Sequence, residues 1–236
     1  MPDFTTRSAD REMMDDLSCE GDVVGKTLRE LEFINKWLGG NAVTISALNT
    51  LSELDRRDAP LRIADLGCGS GDMLRIISAW ADRKGIAVDL TGIDANANII
   101  AYAAENLRNL PSVRLLPLDI FSSEFNAKNY DVVIGTLFFH HFTQAELIAF
   151  FTRLRENGTR YVIINDIHRH YLAYHSIRIL TRLFSASPMV KHDAPLSVLR
   201  AFSREELEQA LLRSGFRIHQ IRWKWAFRWQ VIAGIR

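Results

Sequence analysis

Leu61-Arg62-Ile63-Ala64-Asp65-Leu66 runs directly into Gly67-Cys68-Gly69-Ser70-Gly71. The first six residues read as a strand, and Asp72 to Asp82 reads as a helix. Glycines between them let the backbone turn sharply and let a ligand approach the main chain. The helix that follows offers free N–H groups at its start. A dinucleotide loop of the G-x-G-x-x-G type would need glycine where Asp72 stands. That acid would also meet a pyrophosphate with like charge. A phosphate-binding P-loop needs G-K-[ST], which is absent. Phosphate is therefore a poor ligand for this loop, and a nicotinamide dehydrogenase is disfavoured.

Working outward, strand and helix alternate. Strands are expected at Ile86 to Ile93, Val113 to Leu118, Asp131 to Leu137 and Arg160 to Asp166. Helices are expected at Ala95 to Leu107 and Thr143 to Glu156. Short strands separated by helices of this length imply a parallel sheet of right-handed βαβ units. Ser203-x-x-Glu206 forms a capping box for a helix that ends at Gly215. Two strands, Phe216 to Trp223 and Phe227 to Gly234, then close the chain as antiparallel neighbours. Ahead of the glycine loop, Cys19 to Leu38 and Ala42 to Arg56 show helical apolar periodicity. Residues before about Asp16 read as a loose polar stretch or a short helix. The fold class is α/β: a doubly wound, seven-stranded, mostly parallel sheet with an antiparallel last strand and N-terminal capping helices. The division expected is a helical cap over 1–58 and a Rossmann-like domain over 59–236, with an insertion near 168–200 forming a lid.

Three acids fall at strand ends. Asp65 is followed by Asp94 and then by Asp119, so all three come to the carboxyl edge of the sheet, where ligands bind. An acid after the second strand suits ribose hydroxyls, and one after the third can accept from an exocyclic amine. Together they describe a nucleoside without phosphates, with room for a positive charge.

On these residues the chain from about Leu61 to Arg236 resembles the class I S-adenosylmethionine-dependent methyltransferases. Asp65-Leu66-Gly67-Cys68-Gly69-Ser70-Gly71 is similar to their first motif. Gly92-Ile93-Asp94 and Leu118-Asp119-Ile120 are similar to the ribose-side and adenine-side acids, and Asp131-Val132-Val133-Ile134-Gly135 to the fourth strand. The resemblance implies S-adenosylmethionine as cofactor, held by Asp65, Gly67, Cys68, Gly69, Asp94, Ala95, Asp119, Ile120 and Thr136, and no metal. It also implies that the N-terminal helices and an insertion after the fifth strand shape an acceptor pocket, as in small-molecule members. The absence of an Asn/Asp-Pro-Pro-Tyr/Phe motif at Gly135-Thr136-Leu137-Phe138 lowers the case for methylation of amino groups on bases or glutamine. The preferred acceptor is a small hydrophobic molecule with a phenolic or quinol hydroxyl, methylated in small-molecule biosynthesis.

A base is needed only if the acceptor must lose a proton. His141, after the fourth strand, and His168, two residues past Asp166, are the candidates, with an Asp166–His168 pair orienting the second ring. Cys68 lacks an evident base or acid partner and reads as filler. Residues 169–185 read as a basic amphipathic helix, either a lid or a transient contact with a membrane surface. Trp223, Trp225, Phe227 and Trp229 alternate with Arg222, Lys224 and Arg228, which could present one stacking face unless a turn near Ala226 breaks it. Two other readings stay open: an RNA-modifying methyltransferase, and a non-catalytic partner protein of the same fold.

Composition sets the outer bounds. The chain has 236 residues, 47% hydrophobic and 24% charged, ordinary for a globular protein. Two cysteines, Cys19 and Cys68, exclude a disulfide scaffold and a four-cysteine zinc site. No apolar run reaches the length of a membrane span, and the first residues resemble no targeting leader, so the expected location is the cytoplasm. A homodimer is compatible with this composition. The net charge of +1 is a cancellation: residues 1–150 hold 14 Lys/Arg against 22 Asp/Glu, and residues 151–236 hold 15 against 6. The balance makes nucleic acid an unfavoured partner for the surface as a whole, while leaving a basic C-terminal part.

Overall fold

Seven strands form a single sheet in the order β3-β2-β1-β4-β5-β7-β6. They are β1 Leu61–Leu66, β2 Val88–Asp94, β3 Arg114–Pro117, β4 Val132–Thr136, β5 Tyr161–Ile167, β6 Arg217–Lys224 and β7 Arg228–Gly234. The first five run parallel, and β7 is antiparallel to both its neighbours, β5 and β6. This computed structural model describes residues 2–54, 59–126 and 130–235. The expected helix end at Arg56 and domain boundary at 58 lie outside the described residues.

The strands read as continuous apolar runs because helices cover both faces. On one face lie α2 Gly40–Leu54, α3 Asp72–Lys84 and α4 Ala97–Asn106, whose Leu48, Leu51, Leu74, Ile77 and Ile100 pack on Ile63, Ile134 and Ile163. The other face carries α5 Ser123–Asn126, α6 Gln144–Glu156 and α9 Arg204–Arg213, with Phe150, Phe151, Leu207 and Leu211 on Leu66, Val133 and Val162. α6 and α9 each begin with a capping box, Thr143 with Glu146 and Ser203 with Glu206. Each box satisfies N–H groups that the first helical turn would otherwise leave open.

Of the two helices ahead of the sheet, only α1 Asp22–Trp37 lies over the carboxyl edge. α2 belongs to the core. A buried polar layer fastens it there: the Asn165 side chain in β5 donates to Gly40 O at 2.8 Å and to Thr44 Oγ1 at 2.9 Å, and Gln230 in β7 donates to Val43 O at 2.6 Å. The insertion between β5 and α9 is a helix pair, α7 Tyr171–Phe184 and α8 Pro188–Arg200. The polar residues before Asp16 are not loose. They form an ordered strap that ends in a short 3-10 turn, Met13–Asp15. Arg7 donates to the carbonyls of Arg200 and His140, Arg169 donates to Phe4 O, and Asp193 accepts from the N–H groups of Met13 and Met14.

The terminal aromatics do not share one face. β6 and β7 are joined by a turn at 225–227, so Trp229 is buried in the core while Trp223 and Trp225 are exposed.

Gly135 in β4 leaves no room for a side chain: a Cβ there would lie 2.4 Å from Cε2 of the fully buried Phe139. Gly135→Ala is expected to destabilise the fold by about 1–3 kcal/mol through overpacking. Urea unfolding would show a lower midpoint with an unchanged slope, whereas wild-type stability would contradict this packing.

Candidate functional site

The sheet's carboxyl edge opens into a cavity of about 1520 Å³. Ligand pockets ordinarily span about 300–1,000 Å³, so this one has room for two molecules side by side. All nine residues expected to hold a cofactor line it: Asp65, Gly67, Cys68, Gly69, Asp94, Ala95, Asp119, Ile120 and Thr136.

The glycine loop floors one end. Gly67, Gly69 and Gly71 all have positive φ, at 60°, 52° and 77°. At Gly67 a Cβ would fall 2.2 Å from the Phe138 ring, so the loop packs directly under the segment after β4. Above Gly69 the nearest atom to such a Cβ is Leu28 Cδ2 at 3.6 Å, which leaves the backbone open to a ligand. Cys68 N–H donates to Ile93 O at 3.1 Å, tying the loop to the end of β2. Its thiol is pushed well above the ordinary range by burial and the surrounding acids, which makes it inert.

Three carboxylates surround this loop, and among the described residues none of them forms an ion pair at contact distance, although Arg75 and His141 act on Asp72 and Asp94 from further away. Asp65, 2% exposed, is held well above the usual carboxylate range by burial and by Asp72 and Asp94. Asp72 is raised by burial and Glu32, and its buried Oδ2 has no hydrogen-bond partner. Asp94 is raised by burial, which the N–H groups of Asn96 at 3.0 Å and Gly69 at 3.4 Å partly offset. Asp119 sits at the rim and accepts the Phe121 N–H at 2.8 Å. A buried cluster of acids without a cation is costly, and a ligand carrying positive charge and hydroxyls answers each of these groups.

The segment after β4 forms the opposite wall. Leu137 occupies the left-handed region at φ 55°, a conformation that non-glycine residues hold only where surrounding packing imposes it. His140 is buried between two acids: Asp166 Oδ1 at 2.7 Å from Nδ1 and Glu12 Oε1 at 3.5 Å from Nε2. Burial favours the neutral ring, but the two carboxylates outweigh it and hold His140 up to about 9. Asp166 thus pairs with His140. The expected Asp166–His168 pair is absent because the chain leaves β5 through a bridge to Phe202, which lays His168 against Trp229 at a centroid distance of 4.8 Å. His168 does not line the cavity.

His141 does line it. Its Nδ1 contacts Asp15 Oδ1 at 2.6 Å, and Arg200 binds the other oxygen of Asp15 at 2.5 Å and the His141 carbonyl at 2.7 Å. Asp15 is held below the usual carboxylate range because His141 and Arg200 overcome the effect of burial. Glu12, Asp15 and Arg200 come from the strap and α8, and motif spacing gives no sign of them. Donor atoms of Glu12, His140 and His141 lie within 4.8 Å of one another. The Arg200 guanidinium stands 3.6 Å from Glu12 and supplies the positive charge there, which reads as an ion-pair network.

In the chamber between α1, α7 and α8 the lining mixes apolar side chains with polar ones such as Thr27, Asn35, Ser176 and Ser197. Leu31, Ile34 and Leu38 of α1, Ile177 and Leu180 of α7, Val190 of α8, and Phe138 supply the apolar part.

Residues 63–158 match the sequence model of a methyltransferase domain family. The plantazolicin methyltransferase BpumL, solved in complex with S-adenosylhomocysteine, is 21% identical with a TM-score of 0.63, over 88% of this chain and 90% of that one. The magnesium protoporphyrin IX methyltransferase of Synechocystis PCC 6803, with the same ligand bound, is 17% identical with a TM-score of 0.58, over 86% and 87%. A SAM-dependent methyltransferase from Aquifex aeolicus is 18% identical with a TM-score of 0.57, over 80% and 89%. No curated protein sequence matches the chain.

Asp65→Asn tests the charge reading directly. The folded state raises the Asp65 pKa, so this carboxyl supports the ligand-free fold below its unfolded pKa, and that support is lost as pH rises through the folded value. At neutral pH the variant is expected to be more stable than wild type without ligand, by about 1–3 kcal/mol. It should bind S-adenosylmethionine at least about tenfold more weakly, roughly 1.4 kcal/mol. Calorimetry and thermal melts measure both. A variant that is less stable and binds normally would contradict the assignment.

Proposed function

We propose that this chain, a class I S-adenosylmethionine-dependent methyltransferase, methylates a hydroxyl group on a small, mostly apolar acceptor such as a phenol or quinol. The observation that carries this reading is one large cavity that is lined by acids and the glycine loop, by apolar side chains of α1, α7 and α8 among polar ones, and by His141.

When bound, S-adenosylmethionine supplies a methyl group on a positively charged sulfur, already activated for transfer. Asp65 and Asp72 would take its cationic end, Asp94 the ribose hydroxyls and Asp119 the adenine amine. Gly67 and Gly69 would let the backbone lie close to it, and Ala95, Ile120 and Thr136 would complete the wall. With the methyl donor activated in advance, alignment and removal of one proton are the tasks left to the protein. The chamber side chains hold the acceptor ring and exclude water. His141 takes the hydroxyl proton on Nε2, because Asp15 occupies Nδ1. The Asp15 carboxylate then stabilises the charged ring, as a carboxylate does for other paired histidines. His140, enclosed by Asp166 and Glu12, is a positioning residue that fixes the loop carrying His141.

Two features speak against an RNA substrate. The strap and α7–α8 cover the site, and the broken aromatic row offers no continuous stacking face.

Transfer of labelled methyl to a panel of alkyl-substituted phenols and quinols tests the reading. His141→Ala should lower kcat by about 10²–10⁴-fold, the usual contribution of a general base, with S-adenosylmethionine affinity nearly unchanged. Asp15→Asn should lower kcat less. A His141→Ala enzyme of wild-type kcat, or methylation confined to amines and carboxylates, would overturn it.

A further inference from the structure

Three elements meet around this chamber. The far end of α7 joins the middle of α1: Glu30 accepts from Ala186 N–H at 3.0 Å, and the Thr27 and Ser187 hydroxyls are 2.7 Å apart. The near end of α7 joins the β6–β7 turn through His170, stacked on Phe227 at 5.2 Å. The end of α1 lies near the start of β7, since a Cβ on Gly40, the first residue of α2, would touch both Asn35 and Arg228. Leu180 of α7 and Trp225 of the turn line the cavity and are also exposed.

The surface beside this opening is apolar and basic. Phe184 is 80% exposed, Trp37 73%, Leu183 68% and Trp225 68%. Leu183 and Phe184 stand three and four residues beyond Leu180, so they continue its helical face outward. Isolated exposed apolar residues are common, but here Leu180 and Trp225 are both exposed and line the cavity, and Leu183 and Phe184 extend the Leu180 row, which suits an interaction site. From Tyr171 to Phe184 the helix carries Arg178 and Arg182 and no acid, and the β6–β7 hairpin adds exposed Arg222 and also Lys224, again without an acid. Among the described residues no helix is long and apolar enough to cross a membrane. A helix with an apolar row, flanking arginines and no acids is suited to lie in the plane of an anionic lipid surface.

We propose that α7, the end of α1 and the β6–β7 turn form a docking face for anionic bilayers, through which an acceptor dissolved in the lipid enters the chamber. This rests on the reading of the chamber as an acceptor site, and it narrows the acceptor to one with a lipid-soluble tail. Arg178 and Arg182 contact headgroups, while Leu183, Phe184 and Trp225 enter the acyl boundary.

Flotation of the full chain with vesicles of phosphatidylcholine alone, and of phosphatidylcholine with phosphatidylglycerol, tests the proposal. The wild type should float at least tenfold more with the anionic vesicles, and added salt should reduce this. Leu183→Glu with Phe184→Glu should abolish flotation, and Arg178→Glu with Arg182→Glu should remove the anionic preference. Both pairs should leave S-adenosylmethionine affinity and methylation of a soluble short-chain phenol unchanged. Equal background flotation with both vesicles would overturn the docking face. So would a dimer, seen by light scattering, that Phe184→Glu converts to monomer. Loss of soluble-phenol methylation in the wild type itself would instead count against the functional reading, so the two failures are distinguishable.

Discussion

The burial of three neighbouring carboxyl groups with no cation in contact among the described residues is the constraint on which the rest of this structure depends. Asp65, Asp72 and Asp94 crowd around one glycine loop at the carboxyl edge of the sheet, and burial raises all three. Such an arrangement costs stability in the absence of a ligand. It persists because the strand order puts the ends of β1 and β2 side by side, with Asp65 in register beside Gly92 and Leu66 beside Ile93. On the proposed reading, S-adenosylmethionine would supply positive charge to these acids, and a phosphorylated nucleoside would meet them with like charge.

The opposite wall handles the same problem with its own cations. Asp166 and Glu12 enclose His140, and Asp15 lies between His141 and Arg200. These pairs join the strap, the segment after β4, β5 and α8 into a single network. Removing one member would leave a buried charge uncompensated, which is more damaging than the pair is stabilising. The network fixes the rim of the chamber, while α7 keeps an exposed row beside its opening.

The division between what was legible in the sequence and what was not follows the range of the interactions. The strands, the glycine loop and Asp94 and Asp119 depend on local periodicity and on turn positions, and each appears where the sequence places it. The His141–Asp15 contact joins residues 126 positions apart, and no local pattern encodes it. The pairing of Asp166 with His140 rather than His168 depends on how the chain leaves β5, which a bridge to Phe202 decides. α8 was hidden by its two prolines. Pro188 starts the helix, where its missing N–H costs nothing, while Pro195 lies inside it. The stretch before Asp16 reads from its sequence as loose or as a short helix, because polar residues near a terminus are usually loose; a short 3-10 turn does form at Met13–Asp15. The stretch is ordered by guanidinium groups of Arg7 and Arg169 that donate to backbone carbonyls.

The measurement closest to the central claim is the affinity for S-adenosylmethionine as a function of pH, by calorimetry, from about pH 5 to 8. Burial holds Asp65 protonated above the usual carboxylate range in the free protein, and a bound cation favours its ionised form. Binding therefore releases a proton while Asp65 is still protonated in the free protein, and affinity should rise as pH rises from the usual carboxylate range toward the raised value. An affinity that is flat, or that falls as pH rises, would contradict the claim that these buried acids are the counter-charge of the cofactor.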